Sequence, residues 1–178
     1  MSTFMKYIAC ILIMAVLSSC NSKETLQTYF VDHQETPNFT TVDIPTTFVN
    51  FDDVNLTPEQ EEAYKSVERL NFLGYKISEN NLDTYNQEKQ KVKNILNDEK
   101  YVELMEFSLN GGSVSIKSLG EENVDEFVVF GSSAQQGFGV VRVLGNDMSP
   151  EKMMALFQAI QSANIDDEQL KSVLDFFK

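Results

Sequence analysis

Apolar residues in this chain follow three rhythms, and the rhythms divide it. From Tyr7 to Leu17 eleven residues in a row are apolar or aromatic, behind one basic residue, Lys6. Beyond them, Leu26, Tyr29 and Phe30 fall at helical spacing and predict a short helix. Thr40 to Ile44 alternates around Val42 and reads as a strand ended by Pro45. Thr57-Pro58-Glu59-Gln60 offers an N-cap, a proline at the first helical position and a glutamine at the third, so a second helix starts there. Leu70 to Ile77 reads as a strand whose apolar phase slips at Leu73-Gly74, where a bulge is expected.

Leu82, Tyr85, Val92, Ile95 and Leu96 mark a longer helix to about Asn97, with Lys89 and Lys91 on its wet side. A four-strand meander follows over Tyr101 to Leu109, Val114 to Leu119, Phe127 to Phe130 and Phe138 to Leu144. Asn110-Gly111 is a strong hairpin signal, because a type I′ turn needs positive φ at both central residues. The other connections are too short for crossovers, so the order is antiparallel. Ser149-Pro150 caps a helix whose inward face is read as Met153, Leu156, Phe157 and Ile160, with Met148 and Met153 as a hydrophobic staple. Asp166 and Gln169 open a last helix lined by Leu170, Val173, Leu174 and Phe177. The expectation is an α+β fold: an antiparallel sheet, the C-terminal four-strand meander plus one or two N-terminal strands, with helices packed mainly on one face.

The continuous run at the front is a different object. Eleven helical residues cover ~17 Å of a ~30 Å hydrocarbon core, too short to span. A positive start, a short apolar stretch and small residues before a cut describe a secretory signal. Leu17-Ser18-Ser19-Cys20 resembles the box at which a lipoprotein signal is cleaved and its cysteine acylated. The expected layout is a signal peptide over 1–19, a lipidated Cys20 with a short tether over 20–25, and one α+β domain over 26–178. Met5-Lys6 makes an adequate start of its own, so the sequence leaves Met1 and Met5 both open. Cys10 would depart with the signal, leaving Cys20 without a partner for a disulfide within the chain. Asn21 follows Cys20 where, in enteric lipoproteins, an Asp resembles an inner-membrane retention signal. The expected location is therefore the cell envelope, lipid-anchored at the outer membrane and facing the periplasm or the surface.

Charge narrows the partners. The formal net charge is −13, with 27 acidic against 14 basic residues. Such a surface repels a phosphate backbone, so nucleic acid is not an expected partner. The expected partners are the membrane, through the N-terminal lipid, and an envelope protein. Thirteen Phe and six Tyr without Trp point to an aromatic-rich core.

Candidate chemistry is sparse. No metal site and no cofactor are expected: His33 is the sole histidine, and beside Asp32 it reads as a solvated loop residue. No G-x-S-x-G elbow, H-E-x-x-H pair or P-loop occurs, and no catalytic residue is assigned. The glycines at 131, 137 and 139 read as hairpin material. Asp52-Asp53, Glu121-Glu122 with Asp125-Glu126, and Asp166-Asp167 are the acid pairs from which a carboxylate hydrolase or a cation loop would be built. Arg142 is the one possible interaction residue. It sits mid-strand on the side of Phe138, Val140 and Leu144, either paired with an acid such as Glu103 or Glu106 or presented to a partner on an uncovered sheet face. Ser113, Ser115 and Lys117 read as the polar side opposite the helices. The leading reading is a lipid-tethered, non-enzymatic binding or structural domain; the alternatives are a small-ligand or cation-binding lipoprotein and a carboxylate-dependent hydrolase.

Several phrases add a resemblance. They are Tyr29-Phe30-Val31, Phe39-Thr40-Thr41-Val42-Asp43-Ile44-Pro45, Tyr101-Val102-Glu103-Leu104-Met105 and the run from Gly137 through Arg142 to Met148. Together they resemble domain of unknown function 4252, a family of Bacteroidota envelope lipoproteins. The resemblance implies location and fold, and it carries no established activity or catalytic residues.

Overall fold

The computed structural model describes residues 23–52, 54–109, 111–160 and 163–165. The expected signal peptide, Cys20, the last helix with Asp166-Asp167, and Asn110 of the hairpin turn lie outside the described residues.

The chain begins with helix α1 (Leu26–His33), which Thr25 and Thr28 cap reciprocally. Strand β1 (Phe39–Ile44), a 3₁₀ turn (Thr46–Phe48) and strand β2 (Val49–Asn50) follow. Helix α2 (Pro58–Ser66) carries the capping box read from the sequence, with Thr57 and Gln60 satisfying each other's backbone N–H groups. Strand β3 (Val67–Lys76) leads to α3 (Leu82–Leu96). The meander then runs β4 (Tyr101–Leu109), β5 (Gly112–Leu119), β6 (Val124–Ser133) and β7 (Gly137–Met148). Helix α4 (Pro150–Ile160) and strand β8 (Asn164–Ile165) close the described part.

The large sheet has six antiparallel strands in the order β1-β3-β7-β6-β5-β4, and β2 pairs with β8 in a separate ribbon. The fold is therefore α+β. The meander folds back strand by strand, and the N-terminal pair β3 and β1 extends it from β7. Leu109 pairs with Gly112 across the tight β4–β5 turn, and Gly111 there has φ of +79°. Gly137, at φ +122°, starts β7 where any Cβ would overlap the Tyr75 carbonyl. Glycine is required there on both counts.

Alternation along each strand sorts the side chains to two faces. On the front, Leu73, Tyr75, Val128, Phe130, Phe138 and Val140 meet Tyr29 and Phe30 of α1 and Tyr85, Val92 and Ile95 of α3. On the back, Val67, Val124, Phe127 and Met148 meet Ala63 of α2 and Leu156 of α4. The helices are thus shared between the faces rather than gathered mainly on one. Ser113, Ser115 and Lys117 belong to the front, in register with Ser132, Phe130 and Val128. The polar stripe of β5 therefore lies on the face of α1 and α3, not opposite it. On α4, Leu156 and Ala159 are buried with Met153 and Ile160 packed beside them, whereas Phe157 is exposed.

The bulge also falls elsewhere. The ladder runs unbroken through Leu73 and Gly74 on both sides, and the register shifts between Val67 and Arg69. The apolar run in β3 has a different cause. Phe72 packs with Ile44 on the back while Leu73 and Tyr75 enter the front core, because an inner strand is covered on both sides.

Candidate functional site

Two irregularities at one end of the sheet assemble the site. Val67 belongs to the back core; two residues on, Arg69 would point the same way in a regular strand. The extra residue at Glu68 reverses the phase between them, so Val67 turns to the back while Arg69 alternates with Asn71 and Leu73 on the front. A second register shift, between Val124 and Glu126, leaves Val124 on the back while Glu126 alternates with Val128 and Phe130 on the front. Arg142 reaches the same face from β7, opposite Asn71.

Glu126 and Arg142 form a bidentate pair. Nε and Nη2 of Arg142 donate to the two carboxylate oxygens at 2.9 and 2.8 Å, and both side chains are buried. The Phe30 ring of α1 covers the guanidinium, 5.3 Å from its carbon to the ring centre. Arg142 thus lies in a covered, preorganised position, and its acid is Glu126. Glu103 pairs instead with Lys117, at 3.3 Å. Tyr101 stands close by: burial pushes its phenol up to about 12, helped by the charge of Glu126 and opposed by that of Arg142.

Arg142 also lines an open cleft of about 630 Å³ between α1 and strands β1, β3 and β7. Its floor holds Arg69, Asn71, Asp43 and Arg142; Gln34 and Glu35, just past the end of α1, stand at its rim. Asn71 donates to one carboxylate oxygen of Asp43. The Arg69 side chain is exposed and makes no ion pair or hydrogen bond with a described residue. The protein has two arginines in all, and both line this cleft.

On the other flank of α1 lies a second polar group. His33 is the last residue of α1, not a loop residue, and its ring is mostly buried between Tyr29 and Phe39, with centroid distances of 4.1 and 4.4 Å. Nδ1 lies 2.7 Å from the Tyr29 carbonyl, and Nε2 lies 3.3 Å from Oε2 of Glu88 on α3. The Tyr29 hydroxyl donates to the same oxygen at 2.9 Å, and Lys91 donates to the other at 2.8 Å. Burial first, and then the Glu88 charge, hold the Tyr29 phenol far above its ordinary range. This cluster fastens α1 to α3, and its atoms are spent on one another.

The remaining acids are dispersed. Glu121, Glu122 and Asp125 are exposed while Glu126 turns inward, so the four do not form one loop. Asp52 is exposed, and its neighbour Asp53 lies outside the described residues. Among the described residues no three His, Cys, Asp or Glu side chains gather in a metal-binding group, and no helix is long and apolar enough to cross a membrane.

Sequence reasoning singled out Arg142 and missed its neighbours. Arg69 had one available signal, that a chain of this acidity carries two arginines. For His33 the signal was Tyr29 four residues earlier, which puts both rings on one helix face.

The family model described as "Domain of unknown function (DUF4252)" matches residues 29–156, and the chain belongs to that family. The matched span takes in Arg69, Glu126, Arg142, His33 and Glu88. No curated protein and no solved structure matches the chain.

Proposed function

We propose that this DUF4252 member is an exported envelope lipoprotein, anchored through Cys20, whose folded body binds another envelope component and catalyses no reaction. The observation that carries the reading is the order Lys6, Tyr7 to Leu17, Ser18-Ser19-Cys20. A thiolate is the strongest alkylation nucleophile in that stretch, and the small residues before it suit a peptidase groove. A diacylated thioether with an acylated amine exceeds the two-signal threshold for stable anchoring. Five residues separate Cys20 from α1. They extend to at most ~18 Å, so the body stays beside the bilayer that holds it.

Binding rather than chemistry is favoured by how the acids near the cleft are used. Glu126 is committed to Arg142, and Asp43 accepts from Asn71. A carboxylate hydrolase needs two acids facing one bond across a gap, and of these two only Asp43 lines the cleft. The experiment is fractionation of the native cell expressing the protein or its Cys20→Ala variant. The wild type is expected in the membrane fraction, released by detergent and not by salt; the variant is expected in the soluble fraction. Equal partition of the two would overturn the reading.

A further inference from the structure

The cleft's charge pattern specifies a ligand class. Two cations, Arg69 and Arg142, face two anions, Asp43 and Glu35, around one cavity. Arg69 is opposite Leu144 and Arg142 opposite Asn71, so the two arginines are diagonal neighbours on adjacent strands. Diagonal partners stand ~7–8 Å apart at their origins, close enough for two guanidinium groups to converge on one carboxylate. Arg142 spends Nε and Nη2 on Glu126, which locks its plane and leaves Nη1 uncommitted. Arg69 has its whole fork uncommitted among the described residues. Guanidinium forks match planar carboxylates bidentately.

The opposite pole lies across the floor. Asp43, Asn71 and Arg142 stand in one cross-strand row, so Asp43 and Arg142 are two strand spacings apart, ~10 Å. One oxygen of Asp43 receives the Asn71 amide, and the other is left to accept from a ligand. Glu35 adds a second anion at the rim. A phosphate dianion would meet Asp43 and Glu35, with Glu126 behind Arg142, and the balance of charge disfavours it. A monoanion bearing its own cation satisfies both poles. An extended peptide of two or three residues spans ~7–11 Å between its ends, which matches the separation. Phe30, Val31 and Leu144 supply an apolar wall for a side chain between them, and the volume lies in the range of small-ligand sites.

We propose that this cleft binds a short zwitterionic peptide, its carboxylate held by Arg69 and Arg142 and its ammonium by Asp43 and Glu35. The site stands on the described fold and is independent of the anchor at Cys20.

The test is calorimetric titration and thermal unfolding of the full-length chain in detergent. The probes are the tripeptide alanyl-leucyl-alanine, its C-terminal amide, its N-acetyl form, and inorganic phosphate. The free tripeptide is expected to bind and raise the Tm, because a ligand of the native state stabilises it. Each blocked form is expected to bind at least about tenfold more weakly, the loss of one charge-assisted contact. Arg69→Gln is expected to erase the preference for carboxylate over amide, and Asp43→Asn to reduce that for ammonium over acetyl. Both residues are exposed, so both variants should fold, and their unliganded melting curves check it. The proposal is overturned if no peptide binds, if the blocked and free forms bind alike, or if phosphate binds in their place.

Discussion

Nε2 of His33 lies 3.3 Å from Oε2 of Glu88, and Nδ1 of the same ring lies 2.7 Å from the Tyr29 carbonyl. The ring thus joins the end of α1 to the middle of α3 over a front core built largely of aromatics. In a double-mutant cycle, His33→Ala and Glu88→Gln are expected to couple by about 0.5–3 kcal/mol in urea unfolding, the range for residues in one network. Additivity would show that the two side chains do not act together.

The buried pair on the other flank of α1 makes a larger prediction. Glu126→Ala leaves the Arg142 guanidinium buried without its carboxylate, and about 3–5 kcal/mol of stability should be lost. Replacing Glu126 and Arg142 together with leucine should cost much less, since no charge is then stranded. Equal losses for the single and double variants would contradict this account of the pair.

Two glycines separate conformational strain from crowding. Gly111→Ala meets open space and keeps only the positive φ, so about 1 kcal/mol is expected. Gly137→Ala carries a positive φ and also drives a Cβ into the Tyr75 carbonyl, and a loss on the order of 3 kcal/mol is expected. Chemical denaturation of the two variants side by side checks the ordering.

Alkaline stability follows from the tyrosines. Burial raises the phenols of Tyr29, Tyr75 and Tyr85, and it pushes Tyr101 up to about 12. The unfolded chain releases these protons near pH ~10, where the folded chain still holds them. The unfolded state then binds fewer protons, so stability falls as pH rises. For Tyr101 the contribution is whole below pH ~10 and lost on passing about 12. Unfolding free energies that stay level across this interval would contradict it, and urea melts at stepped pH measure them.

Much of this architecture was readable because caps and periods are local. Thr57-Pro58-Glu59-Gln60 placed a helix start, and Asn110-Gly111 placed a turn, from neighbouring residues alone. What escaped depended on phase. The slip at Leu73-Gly74 looked like a bulge because one sequence cannot show that an inner strand is covered twice. The true shift at Glu68 lies at the junction of α2 and β3, where Val67 is the one apolar residue between Ser66 and Leu70, and one apolar residue does not show which phase follows it. Arg142 was visible as a charge among Val140, Val141, Val143 and Leu144, but its acid was not. Glu126 shares the front face with Val128 and Phe130 by simple alternation and stands one strand over from Arg142, whereas the acids read from the sequence, Glu103 and Glu106, lie on β4, at the far edge of the sheet. His33 was obscured by Asp32 and Gln34, polar neighbours that suggest solvent around a ring packed on Tyr29.

The central claim is that this body is carried on a lipid, and the mass of the N-terminus measures it most directly. Protein extracted from the native envelope is predicted to begin at Cys20, with a diacylglyceryl thioether on sulfur and an acyl chain on the amine. Treatment with globomycin should leave the unprocessed precursor in its place. A native N-terminus with an unmodified Cys20, or processing indifferent to the inhibitor, would contradict the account.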